Sequence, residues 1–289
     1  MTVRPGVRSL PLTRRRIVIT RAREQASPFR QLLEGAGAEV LEIPTIRIEP
    51  PDSWEPLDRA IAELEQFRWI IFTSVNGVVR VRQRLSNKGK DRRALSGARV
   101  AAIGPATAAA LKEWGVVPKL VPDEYRAEGL VDRLRGLVRP GDRVLLPRAA
   151  ETRDLLVTEL QRVGARVTEV PAYRTRPVKA GAAALRRALE AGQVDVVTFT
   201  SSSTARNFAT MFSEGERPVL LRDVVVACIG PITADTAAEF GLRTRIMPSR
   251  YTIPALARAI IDYYAKDPRR PGTQRSWVRC PPQAKKGAT

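Results

Sequence analysis

The segment AAIGPATAAALKEWGV, at residues 101–116, recurs 126 positions later as ACIGPITADTAAEFGL, at residues 227–242. In both copies a short apolar run ends in Ile-Gly-Pro, and an amphipathic stretch follows. An apolar run followed by helical periodicity is typical of a buried strand that leads into a helix, with proline in the first helical turn. The two segments therefore predict two strand–helix units of the same kind.

The match extends outward from this segment through most of the chain, at an offset of 126 or 127 positions. The further pairs are RIVITRA at 16–22 with RVLLPRA at 143–149, GAEVLEIP at 37–44 with GARVTEVP at 164–171, WIIFTS at 69–74 with VVTFTS at 196–201, and Tyr125–Leu130 with Tyr251–Leu256. Because the pairs keep one order along the chain, they predict an internal duplication.

Each half of the repeat alternates Val- and Ile-rich runs with amphipathic stretches of helical period. That alternation is typical of a parallel sheet with helices on both faces. Glycines follow four of the amphipathic stretches, at the position where a helix commonly ends in left-handed backbone: Gly37, Gly115, Gly164 and Gly241. The sequence therefore predicts an α/β protein made of two parallel-sheet domains.

The chain has 289 residues, enough for two domains with separate cores. The proline-bounded segments PTIRIEPP at 44–51 and PAYRTRPV at 171–178 look like two extended crossings between domains. We predict a first domain from 16–45 plus 176–266, a second from 50–172, and linker strands at 46–49 and 173–175. The alternative is two sequential domains split near residue 140.

The net charge of +19 is concentrated at the two ends of the chain. Residues 1–16 carry +5 and residues 266–289 carry +6, which leaves +8 for the body. Both ends lack apolar periodicity, so we predict disordered basic tails at 1–15 and 267–289. Nucleic acid is not the expected partner of the body. No apolar run is long enough to span a membrane, and we expect a soluble, cytoplasmic, monomeric protein.

The chain contains no histidine and two cysteines, Cys228 and Cys280. This composition excludes serine–histidine and cysteine–histidine mechanisms, histidine-ligated metals and a disulfide scaffold. Cys228 lies in an apolar run and is expected in the core. No glycine-rich phosphate-binding motif occurs, so we expect neither a nucleotide cofactor nor a metal.

Polar residues follow the predicted strands where each strand leads into a helix. Ligands of doubly wound sheets bind at these carboxyl ends, and helix N-termini attract anions. These residues also have an ordinary role as helix caps. Corners repeated in two domains would suit a large ligand with several carboxylates or phosphates. The corners are Thr20-Arg21, Thr73-Ser74, Gly104-Pro105 with Thr107, Pro147-Arg148, Thr200-Ser201-Ser202, and Gly230-Pro231 with Thr233.

One position breaks the symmetry of the repeat, because Tyr173 in the second crossing corresponds to Ile46 in the first. A phenol held between the domains could donate or accept a proton in a site without histidine. The alternative is a half-buried hinge residue.

Over residues 16–265 the chain resembles the uroporphyrinogen-III synthase family. The resemblance rests on the FTS strand ends, the IGPATA and IGPITA corners, the ITRA and LPRA strand ends and the PAYRT crossing. The resemblance implies two flavodoxin-like domains joined by a two-stranded linker. It also implies that linear hydroxymethylbilane is cyclised with loss of water and inversion of the last pyrrole ring, through a spiro intermediate and without cofactor or metal. Helix N-termini and hydroxyl corners would suit this polycarboxylate substrate.

Carried over by position, the family's linker tyrosine falls on Tyr173, whose hydroxyl would assist departure of the substrate hydroxyl. The family's site-lining hydroxyl positions fall on Thr73, Ser74, Thr107, Ser201 and Thr233. Ile232 stands where some relatives have a second threonine. Arg21 and Arg148, at matched strand ends, are our own candidates for carboxylate partners; the alternative is that they are surface arginines.

A second function class stays open. A duplicated α/β protein without acid–base machinery could be a binding protein for an anionic ligand, with the basic tails contacting a partner or nucleic acid.

Overall fold

In a computed structural model, which describes residues 10–150 and 155–266, the chain divides into two compact units. Unit 1 comprises the chain up to Thr45 and from Lys179 onward, and unit 2 comprises Ile46–Val178. Unit 1 is therefore assembled from two segments and unit 2 from one. This division differs from two sequential domains split near residue 140, and it assigns both predicted linker strands to unit 2.

The strands and helices alternate along most of the described chain. The strands are β1 Arg16–Ile19, β2 Glu39–Glu42, β3 Ile46–Glu49, β4 Trp69–Phe72, β5 Arg99–Ala102, β6 Arg143–Ala149, β7 Arg166–Pro177, β8 Val196–Phe199, β9 Val225–Cys228 and β10 Thr244–Ile246. The α-helices are α1 Arg23–Glu34, α2 Glu55–Ala62, α3 Val75–Asn87, α4 Pro105–Glu113, α5 Ala127–Leu134, α6 Leu155–Arg162, α7 Ala182–Glu190, α8 Ser202–Ala209, α9 Glu216–Leu220, α10 Pro231–Glu239 and α11 Ile253–Ala265. Short 3₁₀ turns lie at Leu64–Gln66 and Arg92–Leu95.

The sheet of unit 1 has five parallel strands in the order β10-β9-β8-β1-β2. Counted along the unit's own chain this is the flavodoxin-like order 2-1-3-4-5. Both faces are buried: Ile17 and Ile19 of β1 pack with α1 and α11, whereas Val18 packs with α7 and α8. Side chains of a strand alternate between faces, so a strand covered on both sides reads as a continuous apolar run.

The sheet of unit 2 has the order β3-β7-β6-β4-β5, with four parallel strands and an antiparallel β3. Ile70 and Phe72 of β4 face one core, and Trp69 and Ile71 face the other. The matched segments occupy equivalent places, since β7-β6-β4-β5 corresponds to β2-β1-β8-β9 of unit 1. The two parallel-sheet domains are confirmed, whereas their origin by duplication stays a prediction.

The two proline-bounded crossings form strands. Ile46 to Glu49 of β3 pairs antiparallel with the end of β7, from Arg174 to Pro177. β7 is longer than the predicted linker strand, because it runs from the parallel sheet into the antiparallel pair without interruption. Glycines end the predicted helices with positive φ, as expected for C-caps: Gly37, Gly115, Gly164 and Gly241.

The prediction of a disordered tail over residues 1–15 is wrong for residues 10–15. Leu12 is fully buried, and Arg15 is 2% exposed. The Arg15 guanidinium binds the Asp195 carboxylate at 2.9 Å and lies 4.2 Å from the centre of the Tyr264 ring. The basic composition suggested a solvated tail, but the buried charge of Arg15 is paired with Asp195 inside unit 1, and composition does not show such a pair. Residues 1–9 and 267–289 of the predicted tails lie outside the described residues. No helix in the described part of the chain is long and apolar enough to cross a membrane.

Candidate functional site

The strand order of each unit reverses at one place. In unit 1 this is between β1 and β8, and in unit 2 between β6 and β4. Loops at the carboxyl ends of the two strands leave in opposite directions there, which opens a crevice for ligands. The predicted corners Thr20-Arg21 and Thr200-Ser201 lie at this place in unit 1, and Thr73-Ser74 and Pro147-Arg148 lie at it in unit 2.

In unit 2 the structure brings Tyr173 and Ser74 together. The Tyr173 hydroxyl donates a hydrogen bond to Ser74 Oγ at 2.9 Å. Ser74 is also the N-cap of α3, and its Oγ accepts the backbone N–H of Gly77 at 3.0 Å. The phenol is thereby fixed to the start of a helix, whose positive end favours a negative charge.

Tyr173 is 8% exposed, and burial raises the pKa of its phenol above the ordinary value of 10.0. Hydrogen bonds with Ser74 and Asn76 oppose this shift but are outweighed. The phenol is therefore protonated at neutral pH, which makes it a hydrogen-bond donor and a proton source rather than a base.

Asn76 is a further candidate residue that the sequence did not predict. Its side chain hydrogen bonds with Tyr173. The corresponding position in the second half of the repeat is Ser203, so Asn76 breaks the repeat just as Tyr173 does. Departures from the repeat near a strand end were the signal that could have identified it.

The helix that carries Ser74 and Asn76 lies close to β6. A Cβ at Gly77 would be 3.0 Å from the backbone oxygen of Pro147. The absence of a side chain at this position therefore lets the first turn of α3 pack against the strand. Thr73 is half-buried beside it, and Thr107, in the first turn of α4, is 4% exposed.

Arg148 is not a surface arginine, because only 5% of it is exposed. It forms an ion pair with Glu169 on the neighbouring strand β7. The strand pairing of β6 with β7 places these two residues together, which sequence spacing does not show. Since Glu169 already balances its charge, Arg148 has less capacity for an external carboxylate than we expected.

Arg21 of unit 1 has the opposite surroundings. Burial lowers the pKa of its guanidinium from 12.5 to about 10. Its hydrogen-bond acceptor is Gln25 Oε1 at 3.2 Å, and its Nε is buried without a partner. Within the described ranges no carboxylate lies within 4.0 Å of it. A half-buried cation without a carboxylate partner among the described residues is a good ligand for an anion.

The hydroxyl corners of unit 1 act as helix starts. Ser201 caps α8 and shares a capping box with Thr204. Thr233, in the first turn of α10, is 5% exposed, whereas Ile232 beside it is 39% exposed. Ser202 Oγ, at the start of α8, donates a hydrogen bond to the Ile232 carbonyl in the first turn of α10 at 3.3 Å, and it accepts one from Thr236 Oγ1 in the second turn at 2.9 Å. Two helix N-termini thus lie side by side in unit 1, at the end of the sheet where the parallel strands have their carboxyl ends. This end of each sheet is called its carboxyl edge.

No group of three His, Cys, Asp or Glu side chains in residues 10–150 and 155–266 is arranged to hold a metal ion. Cys228 is fully buried, and burial raises the pKa of its thiol to about 11. It is a core residue, as predicted, rather than a nucleophile.

Comparison with known proteins places these features in a family. Residues 27–258 match the family model described as uroporphyrinogen-III synthase HemD. The chain is 39% identical over 256 residues to uroporphyrinogen-III synthase of Synechococcus elongatus, covering 86% of this chain and 96% of the relative. It is 28% identical to the Chlorobaculum parvum enzyme of the same name, covering 85% of this chain and 98% of that one.

Solved structures share the fold at lower sequence identity. A mutant uroporphyrinogen III synthase from Thermus thermophilus superposes with a TM-score of 0.62 at 22% identity, covering 88% of this chain and all of that one. The Helicobacter pylori structure gives a TM-score of 0.56 at 18% identity, covering 86% of this chain and 99% of that one. On the extent of the family match and the identity to the S. elongatus relative, the chain belongs to the uroporphyrinogen-III synthase family.

Proposed function

We propose that this protein is a uroporphyrinogen-III synthase, which cyclises hydroxymethylbilane with loss of water and inversion of the last pyrrole ring. The observation that carries the proposal is the Tyr173 phenol bound to Ser74 at the carboxyl edge of unit 2. This edge holds a proton donor in a chain without histidine. Family membership supports the same reaction.

Departure of the substrate hydroxyl is the step in which Tyr173 acts. The phenol donates its proton to the leaving oxygen, the carbon–oxygen bond breaks, and water leaves. The pyrrole nitrogen supplies an electron pair that stabilises the resulting cation. The substituted carbon of the last ring then bonds to the former hydroxymethyl carbon, which gives the spiro intermediate. The bond between that ring carbon and its original bridging methylene breaks, and the methylene carbon bonds to the unsubstituted carbon of the same ring. That carbon loses its proton, which restores the phenol. Because the pKa of Tyr173 is raised, the phenol carries its proton at neutral pH before the substrate binds.

The cationic side chains and the helix N-termini at each carboxyl edge bind the carboxylates of the substrate. In unit 1 these are Arg21, Ser201 and Thr233, and in unit 2 they are Thr73, Ser74 and Thr107. Arg21 has no carboxylate partner among the described residues, so a substrate carboxylate would supply its missing counterion. Arg148 contributes less, because Glu169 already pairs with it.

Inversion of the last ring requires control of the substrate's conformation as well as proton transfer. In solution the direct closure is favoured, and it gives isomer I. Holding the carboxylates in fixed positions brings the substituted carbon of the last ring to the reactive centre, which is an effect of proximity and orientation. The reaction is that of a carbon–oxygen lyase acting as a monomer on one small molecule, with no cofactor. The Cys228 thiol is free, as expected for the cytoplasmic setting that we propose.

The test is the isomer ratio of uroporphyrin obtained when hydroxymethylbilane is incubated with the purified protein and then oxidised. A protein-free incubation is the control. The proposal predicts a shift from isomer I to isomer III. An unchanged ratio with folded protein would contradict the proposal, and titration with uroporphyrinogen III would then show whether the chain binds polycarboxylates without catalysing the reaction.

A further inference from the structure

We propose that unit 1 carries a second anion-binding pocket, separate from its carboxyl edge, for a compact organic oxyanion with more than one negative charge. The pocket has a volume of about 350 Å³ and is lined by Arg217, Arg222, Arg243 and Arg245. The inference goes beyond the proposed function and does not depend on it.

The pocket lies at the opposite end of β9 from the proposed substrate groups. It is lined by Val224 and Val226, at the start of β9, and by Gly241 and Leu242, which follow α10. The Gly230 corner and Thr233 lie beyond the other end of the same strand and in the first turn of α10. A ligand in this pocket would therefore not occupy the carboxyl edge.

The arginines of the pocket are not neutralised by the described part of the chain. No carboxylate there lies within 4.0 Å of any of the four guanidinium groups. Glu214 and Glu239 also line the pocket, and neither pairs with a described cation. In contrast, Arg30 and Arg186 of the same unit pair with Glu42 and Glu216. Four cations with two acids leave an excess positive charge that attracts an anion.

One of the four arginines is already held in place. Arg217 donates a hydrogen bond to the Ala209 carbonyl at 3.3 Å, and its guanidinium lies 5.7 Å from the centre of the Phe240 ring. Part of its conformational entropy is therefore lost before any ligand binds, which favours binding. Arg222, Arg243 and Arg245 are exposed and can orient toward a bound anion.

The lining defines the class of ligand. Guanidinium groups bind phosphate and carboxylate oxygens through paired hydrogen bonds. Leu221, Val226 and Phe240 add apolar surface, so the ligand has an apolar part as well as its charges. The volume is that of a small-molecule pocket. The two glutamates would repel an extended polyanion, which favours a compact molecule over a nucleic acid strand.

The test measures binding by calorimetry at physiological ionic strength, with phenyl phosphate and phthalate as phosphate and carboxylate probes that each carry two negative charges and an apolar ring. The variant is Arg222→Gln/Arg243→Gln, which should bind the preferred probe about tenfold or more weakly. The matched control is Arg187→Gln/Arg258→Gln, two exposed helix arginines of unit 1 outside the pocket, with the same change in net charge. Circular dichroism verifies that each variant is folded.

A third variant separates this pocket from the carboxyl edge. Arg21→Gln should leave binding of the probe unchanged if the anion occupies the proposed pocket. The proposal is overturned if the unmodified protein binds neither probe, if the control variant loses as much affinity as the pocket variant, or if only Arg21→Gln abolishes binding. None of these outcomes changes the isomer ratio on which the proposed function rests.

Discussion

At the scale of single residues, the hydrogen bond between Tyr173 and Ser74 unites helix capping with proposed catalysis. Ser74 Oγ accepts from both Gly77 N–H and the Tyr173 hydroxyl. A serine oxygen has two acceptor sites and one proton of its own, so that proton is left for a substrate. The helix cap and the phenol therefore depend on the same side chain.

Tyr173→Phe removes the phenol and little else. We expect kcat for formation of uroporphyrinogen III to fall about 100-fold or more, because general acid catalysis contributes at least this much. Product affinity should change much less. The measurement is single-turnover kinetics together with titration of uroporphyrinogen III. Ser74→Ala keeps the phenol but removes its hydrogen-bond acceptor and the helix cap, so it should lower kcat less than Tyr173→Phe does and cost about 1 kcal/mol of stability. Wild-type kcat in Tyr173→Phe would exclude the proposed role.

Arg21→Gln tests the half-buried guanidinium, which has no carboxylate partner among residues 10–150 and 155–266. Its pKa is lowered because burial penalises the charged form, so the charge destabilises the folded state at neutral pH. We expect the variant to be at least as stable as the parent in urea and to bind uroporphyrinogen III more weakly. Arg258→Gln, an exposed arginine on α11, is the control for net charge. Lower stability together with unchanged affinity would show that Arg21 is structural.

At the scale of elements, the two halves of the repeat start corresponding helices differently. Thr252 caps α11 by accepting the Ala255 N–H at 3.3 Å, whereas Arg126, at the corresponding position before α5, provides no side-chain cap. Both residues have extended backbone, with φ of −126° and −141°. The backbone of α5 is therefore already arranged to accept a cap.

We predict that Arg126→Thr stabilises unit 2 by about 1 kcal/mol and that Thr252→Ala destabilises unit 1 by a similar amount. The exposed ion pair of Arg126 with Glu124 contributes little that could be lost. The free energy of unfolding in urea measures both effects. A destabilised Arg126→Thr would show that Arg126 holds the α5 start by its own contacts.

α2 and α3 are joined by an ion pair whose strength depends on pH. Asp58 accepts two hydrogen bonds from Arg84, at 2.5 and 2.6 Å. The hydrogen bond from Arg84, with help from Lys88, lowers the pKa of Asp58 from 3.8 to about 2. A lowered carboxyl pKa means that the folded state binds the proton less tightly than the unfolded chain does. The stabilisation of the folded state by this ion pair is therefore complete above about pH 4 and is lost as pH falls toward 2.

Asp58→Asn should reduce the stability of unit 2 at pH 7, and the difference from the parent should shrink as pH falls from about 4 to 2. Urea unfolding followed by tryptophan fluorescence measures this effect, because Trp54, Trp69 and Trp114 all lie in unit 2. A difference that stays constant over this range would mean that Asp58 acts by packing rather than by charge.

At the scale of the whole molecule, each unit has its own sheet with a core on both faces. Unit 1 also depends on the buried pair of Arg15 and Asp195, whose side chains are 3% and 4% exposed. Burial raises the pKa of Asp195 despite its hydrogen bonds from Arg15 and the Arg16 N–H. Removing one member of such a pair leaves the other as a buried, uncompensated charge.

Arg15→Gln should destabilise unit 1 by about 3 kcal/mol and leave unit 2 unchanged. In a Trp277→Phe background, tryptophan fluorescence reports on unit 2, while far-UV circular dichroism reports on both units. We expect a shift in the circular dichroism transition alone. Arg15→Met/Asp195→Leu, which removes both charges, should lose less stability. Equal shifts by both probes would show that the units unfold as one.

The sequence by itself determined the α/β class, the two parallel sheets, the helix starts at Ser74 and Ser201 and the glycine ends of four helices. These are local properties: apolar periodicity, capping side chains and positive φ act over a few neighbouring residues. The repeat at an offset of 126 to 127 positions also predicted two equivalent sheets, because segments with the same apolar pattern form the same kind of element.

Only the tertiary structure decided which side chains meet. Tyr173 and Ser74 are 99 positions apart, and Arg15 and Asp195 are 180 apart. The same holds for Glu169 beside Arg148, for the lack of a described counterion at Arg21, and for the four arginines of the second pocket. Strand pairing and register set such contacts, and neither can be determined from the local pattern of a single chain. The physical reason is that burial and charge pairing depend on neighbours in space, whereas helix and strand formation depends largely on neighbours in sequence.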